Sequence, residues 1–134
     1  MTSRFLFALF LAIPAMAARA ETPADFLNAY QAEARQAQPG FTSSPQRGEQ
    51  FFRRVGGKDW SCSTCHTDNP AATGKHASTG KAIEPLAPAA NDRRFTRADK
   101  VEKWFKRNCN DVVGRACSAA EKSDVLAYLL AVKK

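Results

Sequence analysis

Two cysteines and a histidine form the motif with the clearest chemistry in this chain. Residues 62–66 read Cys-Ser-Thr-Cys-His, the C-x-x-C-H pattern of covalent haem attachment. Thiols at this spacing can each bond to one of the two vinyl groups of a haem, and the adjoining imidazole can then reach the iron. Cys62 and Cys65 are therefore candidate attachment residues for one haem c, and His66 is the candidate proximal iron ligand.

The alternative interpretation of the same residues is a bare C-x-x-C pair, either a redox dithiol or half of a zinc site. A zinc site would need a second pair of ligands at similarly close spacing, and the other two cysteines, Cys109 and Cys117, stand eight residues apart. A thioredoxin-like site would need alternating strand and helix patterns, which the sequence does not show. The motif favours haem, provided that the chain reaches a compartment in which haem is attached.

The N-terminal residues have the pattern of a secretory signal peptide. Arg4 is basic, residues 5–16 are almost entirely apolar, and residues 18–20 (Ala-Arg-Ala) fit a small-x-small cleavage site. The apolar run is shorter than the ~20 residues that span a bilayer, so an uncleaved anchor is the less favoured alternative. We predict a cleaved signal of residues 1–20, export to the periplasm, a single domain of residues 21–134, and no membrane insertion after cleavage.

The charge of the chain is moderately basic. The 134 residues include 20 basic and 13 acidic side chains, for a net charge of +7. Removal of Arg4 and Arg19 with the signal would leave +5, from 18 basic and 13 acidic side chains. An excess of this size suits docking to an acidic protein and gives no reason to expect a nucleic-acid partner.

Four helices and one long loop are expected in the mature chain. The predicted N-cap residues are Thr22, Ser44, Thr96 and Ser118, the first two followed by proline and the last forming a capping box with Glu121. Residues 21–44 would form an N-terminal helical extension. Residues 67–91 are rich in proline and glycine and predict a loop that wraps a haem. Its apolar side chains, at Ile83, Leu86 and Ala87, would face the haem.

The third predicted helix carries two contrasting faces. At 100° per residue its apolar residues cluster with one asparagine on a single side, namely Val101, Trp104, Phe105 and Asn108. Its basic residues gather on the other side and are candidates for docking a partner, namely Lys100, Lys103, Lys106 and Arg107. We expect the haem pocket to be lined by Trp60, which leads into the motif, and by Leu86, Trp104 and Phe105.

The sixth ligand of the iron decides what such a haem can do. Electron-transfer cytochromes c commonly use methionine opposite the histidine, but the only methionines, Met1 and Met16, lie in the predicted signal. Histidine–methionine ligation is therefore excluded for the mature chain. The remaining options are His76, a non-standard ligand or an open site. His76 lies ten residues beyond His66, so its loop would have to turn around the porphyrin edge.

Asn108 is the other candidate for this position. An amide at the end of an apolar helix face either bonds to loop backbone at the helix end or belongs to a ligand pocket. It directly precedes Cys109, and in an exported protein Cys109 and Cys117 would by default form a disulfide. That disulfide would contribute on the order of 2–3 kcal/mol and stiffen the backbone that carries Asn108.

Beyond these patterns, the chain resembles a known family. The segments that carry the resemblance are CSTCH (62–66), TGKAIEPLAP (79–88), RFT (94–96), VEKWFKRNCNDVVGRAC (101–117) and EKSDVLAYLL (121–130). They are similar to high-spin monohaem class I cytochromes c, the family of the sphaeroides-type haem protein and cytochrome c″. The resemblance covers most of the chain from Gly48 onward. It implies an all-α class I cytochrome c fold around one covalent haem, in which Gly48 and Phe52 meet the Tyr128–Leu129 side of the last helix.

The same resemblance implies a distal ligand. Cytochrome c″ has histidine immediately before the first disulfide cysteine, whereas the sphaeroides-type protein has asparagine, as here at Asn108. Asn108 would then bind ferric iron and be released on reduction, so that the ferrous haem could bind O2, NO or CO. The resemblance also implies the Cys109–Cys117 disulfide and an acidic or dihaem c-type cytochrome as redox partner. Reduction of the bound O2 or NO is left open, since the sequence shows no positioned proton donor for it.

Two functions of different class remain open at this point. The first is a redox-active haem protein that binds a diatomic gas, and the second is an electron carrier whose iron is closed by His76 or by a retained Asn108. Binding of CO to the reduced protein separates them.

Overall fold

The computed structural model describes residues 20–57 and 59–133, so the predicted signal peptide, apart from Ala20, lies outside the described residues. The described part contains five helices and one two-stranded antiparallel sheet. The bounds are α1 Pro23–Ala37, α2 Pro45–Arg53, α3 Cys62–His66, β1 Gly74–Lys75, β2 Ala82–Ile83, α4 Ala98–Val112 and α5 Ala119–Ala131. The expectation of an all-α fold is confirmed. Within the described residues, no helix has the length and apolar character needed to cross a membrane.

Three of the four predicted helix starts are confirmed. Thr22 and Ser118 each form a complete capping box, and the Ser44 hydroxyl accepts a hydrogen bond from the backbone of Arg47. These starts were predictable because cap and partner lie within three residues of one another in the sequence.

The predicted start of α4 at Thr96 is wrong. The Thr96 hydroxyl donates backwards to the Arg93 carbonyl at 3.0 Å, and the N-cap residue is Arg97, which makes no side-chain cap. The first helical N–H group, that of Ala98, instead donates to the carboxylate of Glu21 at 2.9 Å. A residue 77 positions away thus satisfies the helix end, which local sequence cannot reveal.

The core is built where α1 and α2 pack against α5. Gly48 lies directly over the backbone of Asp124, and a Cβ atom there would overlap the Asp124 carbonyl oxygen. Because this glycine has no side chain, α2 approaches α5 closely enough for Phe52 to be fully buried against Tyr128 and Leu129. The predicted contact between Gly48, Phe52 and the Tyr128–Leu129 side of the last helix is confirmed.

The segment predicted as a loop without long regular elements contains a small hairpin. β1 and β2 pair with Gly74 opposite Ile83 and Lys75 opposite Ala82, and the His76 N–H donates to the Lys81 carbonyl at 2.8 Å. Strands of two residues are too short to produce an alternating apolar pattern, so the sequence carries no signal for them.

Candidate haem and iron-ligand site

The C-x-x-C-H motif forms its own short helix, α3. Ser61 caps it, since its hydroxyl accepts from the Thr64 N–H while the Thr64 hydroxyl accepts from the Ser61 N–H. Residues three apart on a helix lie on the same face, so Cys62 and Cys65 present their thiols on one side. Both cysteines are free thiols. The helix therefore offers two attachment groups at fixed spacing, with His66 as its last residue.

The hairpin packs directly on this helix. A Cβ atom at Gly74 would overlap the carbonyl oxygen of Cys65, so β1 contacts the backbone of the motif without an intervening side chain. The Ala77 N–H also donates to the Cys65 sulfur at 3.4 Å. The hairpin thus holds the C-terminal end of α3 in place.

The environment of Cys62 argues against a redox dithiol. Burial raises the pKa of its thiol to about 11, and the nearby Cys65 adds to that effect. Catalytic C-x-x-C pairs instead lower a cysteine pKa to obtain a thiolate. Among residues 20–57 and 59–133, no three His, Cys, Asp or Glu side chains come together as a metal-binding cluster.

His66 is held as a neutral imidazole. Burial, assisted by the positive charge of Arg94, lowers its pKa to about 4. Its ring lies 6.4 Å, centroid to centroid, from the ring of the fully buried Phe52. A neutral imidazole has the free nitrogen lone pair that an iron ligand requires.

The predicted distal residues lie on the outer side of α4. Asn108 is exposed and directly precedes the buried Cys109. Trp104, one turn earlier on the same face, has 45% of its surface exposed. Lys103 and Arg107 place their cationic groups 5.8 and 5.5 Å from the centre of the indole ring. The predicted separation of apolar and basic faces is therefore wrong at Trp104, which contacts the basic side chains because Arg107 is only 60° away around the helix.

The other predicted pocket residues are more enclosed. Phe105 is half-buried and faces the core, with its ring 5.7 Å from Tyr30 and 6.5 Å from Phe95. Leu86 and Cys62 pack against the same apolar cluster, which is built around Phe52. Trp60 is half-buried directly before α3, and its carbonyl accepts from the Gly56 N–H at 2.7 Å.

One disulfide and one backbone hydrogen bond fix the C-terminal end of α4. Cys109 and Cys117 form a disulfide with their Cα atoms 5.6 Å apart, which joins α4 to the residues before α5. The Val112 carbonyl accepts from the Gly57 N–H at 3.1 Å, which joins α4 to the loop that leads into α3. Asn108 is therefore carried by a helix end whose backbone is held from two sides.

The His76 side chain stabilises the turn of the hairpin that carries it. Its Nδ1 accepts hydrogen bonds from the Ser78 and Thr79 N–H groups, both at 3.3 Å, at the tip of the hairpin. The ring is half-buried, and only its Nε2 is left for any other partner.

The four basic residues proposed for docking are all exposed, and they follow one another along α4: Lys100, Lys103, Lys106 and Arg107. Arg107 approaches Asp111 at 3.9 Å, at the limit of an ion pair. The structure thus brings these cations to the surface around Trp104.

Sequence reasoning missed Arg94, whose charge acts on His66 from 28 positions along the chain. The only sequence signal for Arg94 was its place in the RFT segment at residues 94–96.

Together, the residues present fit a covalently bound haem. Two thiols stand at attachment spacing, the adjoining imidazole is neutral, and an apolar cluster packs against Cys62.

Comparison with known proteins gives consistent matches. Residues 38–129 match a family model described as a domain of unknown function, DUF1924. The chain is 51% identical to cytochrome c″ of Methylophilus methylotrophus over 83 residues, which is 62% of this chain and 58% of that protein. It is 42% identical to the cytochrome c-type protein SHP of Cereibacter sphaeroides over 135 aligned positions, covering 98% of this chain and 99% of that protein.

Solved structures of the same two relatives also match this chain. The crystal structure of oxidised cytochrome c″ from Methylophilus methylotrophus matches with a TM-score of 0.78 and 43% identity, covering 84% of this chain and 95% of that one. The structure of oxidised SHP, described as an oxygen-binding cytochrome c, matches with a TM-score of 0.74 and 41% identity, covering 83% and 97%. The expected cytochrome c fold is confirmed by these matches.

Proposed function

Because the chain belongs to the family of c-type cytochromes that includes cytochrome c″ and SHP, we propose that it is a redox-active monohaem cytochrome that binds a diatomic gas. Asn108 is its ferric distal ligand and leaves the iron on reduction. The haem, when bound, supplies one-electron chemistry and, in its ferrous form, a position for O2, NO or CO.

The proximal half of the site rests on α3. Cys62 and Cys65 hold the haem through their sulfur atoms, and His66 provides the proximal imidazole. Its neutral state favours this role, because a protonated ring has no lone pair to donate. Gly74 supports the arrangement by letting the hairpin press on the backbone of Cys65.

The position of Asn108 carries the gas-binding part of the proposal. Its amide is exposed on α4 one turn beyond Trp104, immediately before a disulfide cysteine, at the place where the resembling family has its distal ligand. A neutral amide oxygen is a hard, weak donor and suits ferric iron better than ferrous iron. Trp104 lies one turn earlier on the same face, with the cationic groups of Lys103 and Arg107 at its ring. SHP is described as an oxygen-binding cytochrome c, which supports the same assignment.

The test is an absorption spectrum of the purified haem protein, oxidised and reduced, with and without CO. We expect a reduced form that is high-spin and binds CO. Asn108→Ala should change the oxidised spectrum and leave the CO complex of the reduced protein largely as in the wild type. Asn110→Ala is the matched control, because this exposed asparagine lies on the same helix beyond the disulfide cysteine.

The opposite result would identify the second candidate function. If both oxidation states are low-spin and CO changes neither spectrum, the iron is closed and the protein is an electron carrier. His76→Ala then becomes the informative variant, and ligation through Nε2 would require the ring proton to move to Nδ1, which now accepts two hydrogen bonds.

We also propose that the protein works in the periplasm with another cytochrome, a dihaem c-type cytochrome being one candidate, as its electron donor. The predicted signal at residues 1–20 supports export. The exposed cations around Trp104 support docking to an acidic partner.

A further inference from the structure

Arg94 is a half-buried cation held in a fixed orientation. Its Nε donates to the Pro85 carbonyl at 2.9 Å, and its Nη2 donates to the Glu84 carbonyl at 2.7 Å. Both bonds are to neutral backbone oxygens, so they orient the guanidinium without neutralising its charge.

No carboxylate of the described residues pairs with this guanidinium. The nearest candidate, the carboxylate of Glu84, is engaged by the neighbouring Arg93 at 2.8 and 3.0 Å. Within residues 20–57 and 59–133, no acidic oxygen lies within 4.0 Å of Arg94 and no residue accepts from its Nη1. Burial lowers the pKa of Arg94, and the charge of Glu84 only partly opposes this effect. A half-buried arginine that forms no ion pair would therefore be stabilised by a further anionic partner.

The location of Arg94 points to the partner. The residue after it, Phe95, packs against the same apolar cluster as Cys62 and Leu86, so Arg94 lies next to the haem-binding residues. A haem attached through its vinyl groups keeps two free carboxylates, and the planar fork of arginine matches a carboxylate.

We propose that Arg94 binds a haem carboxylate and thereby sets the reduction potential of the iron. The inference rests on the proposed function, because it requires the haem. Arg94 acts as a positioning residue. The backbone carbonyls of Glu84 and Pro85 orient its guanidinium, and the remaining N–H groups bind the haem carboxylate. A fixed positive charge near the iron favours the reduced state, which carries one positive charge fewer.

The experiment is potentiometry on the haem-loaded protein and on two variants. Arg94→Gln should lower the ratio of reduced to oxidised protein, at a fixed ambient potential, by about tenfold, equal to 59 mV for a one-electron couple. Arg94→Lys keeps the charge but not the fork and should change the ratio less than threefold. Arg97→Gln is the matched control, because Arg97 is an exposed arginine paired with Asp99, and it should change the ratio less than twofold.

A measurement on the wild type keeps the proposal testable if Arg94→Gln does not fold. In an NMR-detected pH titration, one haem carboxylate should ionise at a lower pH than the other. Two carboxylates with equal, ordinary pKa values, or an unchanged potential in Arg94→Gln, would overturn the role of Arg94. Failure of the proposed function looks different, because the purified chain would then carry no covalent haem, or its reduced haem would ignore CO.

Discussion

Because Gly74 has no side chain, the hairpin can lie directly against the haem-attachment motif. We expect Gly74→Ala to lower the free energy of unfolding by at least about 1–3 kcal/mol, the usual cost of overpacking, because its Cβ would overlap the rigid carbonyl of Cys65. Covalent haem incorporation should fall with it. Gly57→Ala is the control, since nothing lies within 4 Å of a Cβ there. Denaturant unfolding and haem content measured on both variants test the prediction, and equal stabilities would contradict it.

At the scale of residues, chemistry that is local in the sequence could be predicted. Cys62, Cys65 and His66 are adjacent, and thiol and imidazole chemistry at that spacing points to haem with few alternatives. Arg94 could not be identified in the same way. Its importance arises from two carbonyls nine and ten residues earlier and from a histidine 28 residues earlier, which only the folded chain brings together.

At the scale of elements, the start of α5 combines a cap with an ion pair. Hydrogen bonds from Arg115 at 2.7 and 2.8 Å lower the pKa of Glu121, and burial only partly opposes them. A depressed carboxyl pKa stabilises the fold above the unfolded-state value of about 4.3. That contribution is lost as the pH falls through the folded-state pKa.

We therefore expect Glu121→Gln to lower stability by about 0.5 kcal/mol at neutral pH, because the pair is partly solvated. The variant should also lose stability less steeply than the wild type below about pH 4. Unfolding free energies measured between pH 3 and 7 test this. Asp92→Asn, which alters an exposed carboxylate, serves as the control. Parallel curves for wild type and Glu121→Gln would contradict the prediction.

The helices differ in how far the sequence predicts them. α1, α2 and α5 begin at caps whose partners are three residues away, so their starts were correct. The start of α4 was wrong because its N-terminal N–H bonds to Glu21, and the hairpin was missed because its strands have two residues each.

At the scale of the whole molecule, the cations around Trp104 define the surface most suited to an acidic redox partner. Lys103→Glu with Lys106→Glu should slow reduction by the partner about tenfold or more at low ionic strength, with the difference shrinking as salt screens the charges. Lys133→Glu, an exposed charge beyond α5, is the control. Stopped-flow rates over a range of salt concentrations test this, and rates equal to those of the control would argue against docking here.

The bond between the Gly57 N–H and the Val112 carbonyl joins the two halves of the site, since Gly57 lies before the attachment motif and Val112 ends the helix of Asn108. A backbone amide exchanges its hydrogen with solvent only when such a bond opens. The Gly57 amide is therefore a built-in reporter of the far end of α4. If Asn108 leaves the iron by side-chain rotation alone, that hydrogen stays protected in both oxidation states. If the last turn of α4 swings away with it, the same hydrogen becomes exchangeable whenever the protein is reduced.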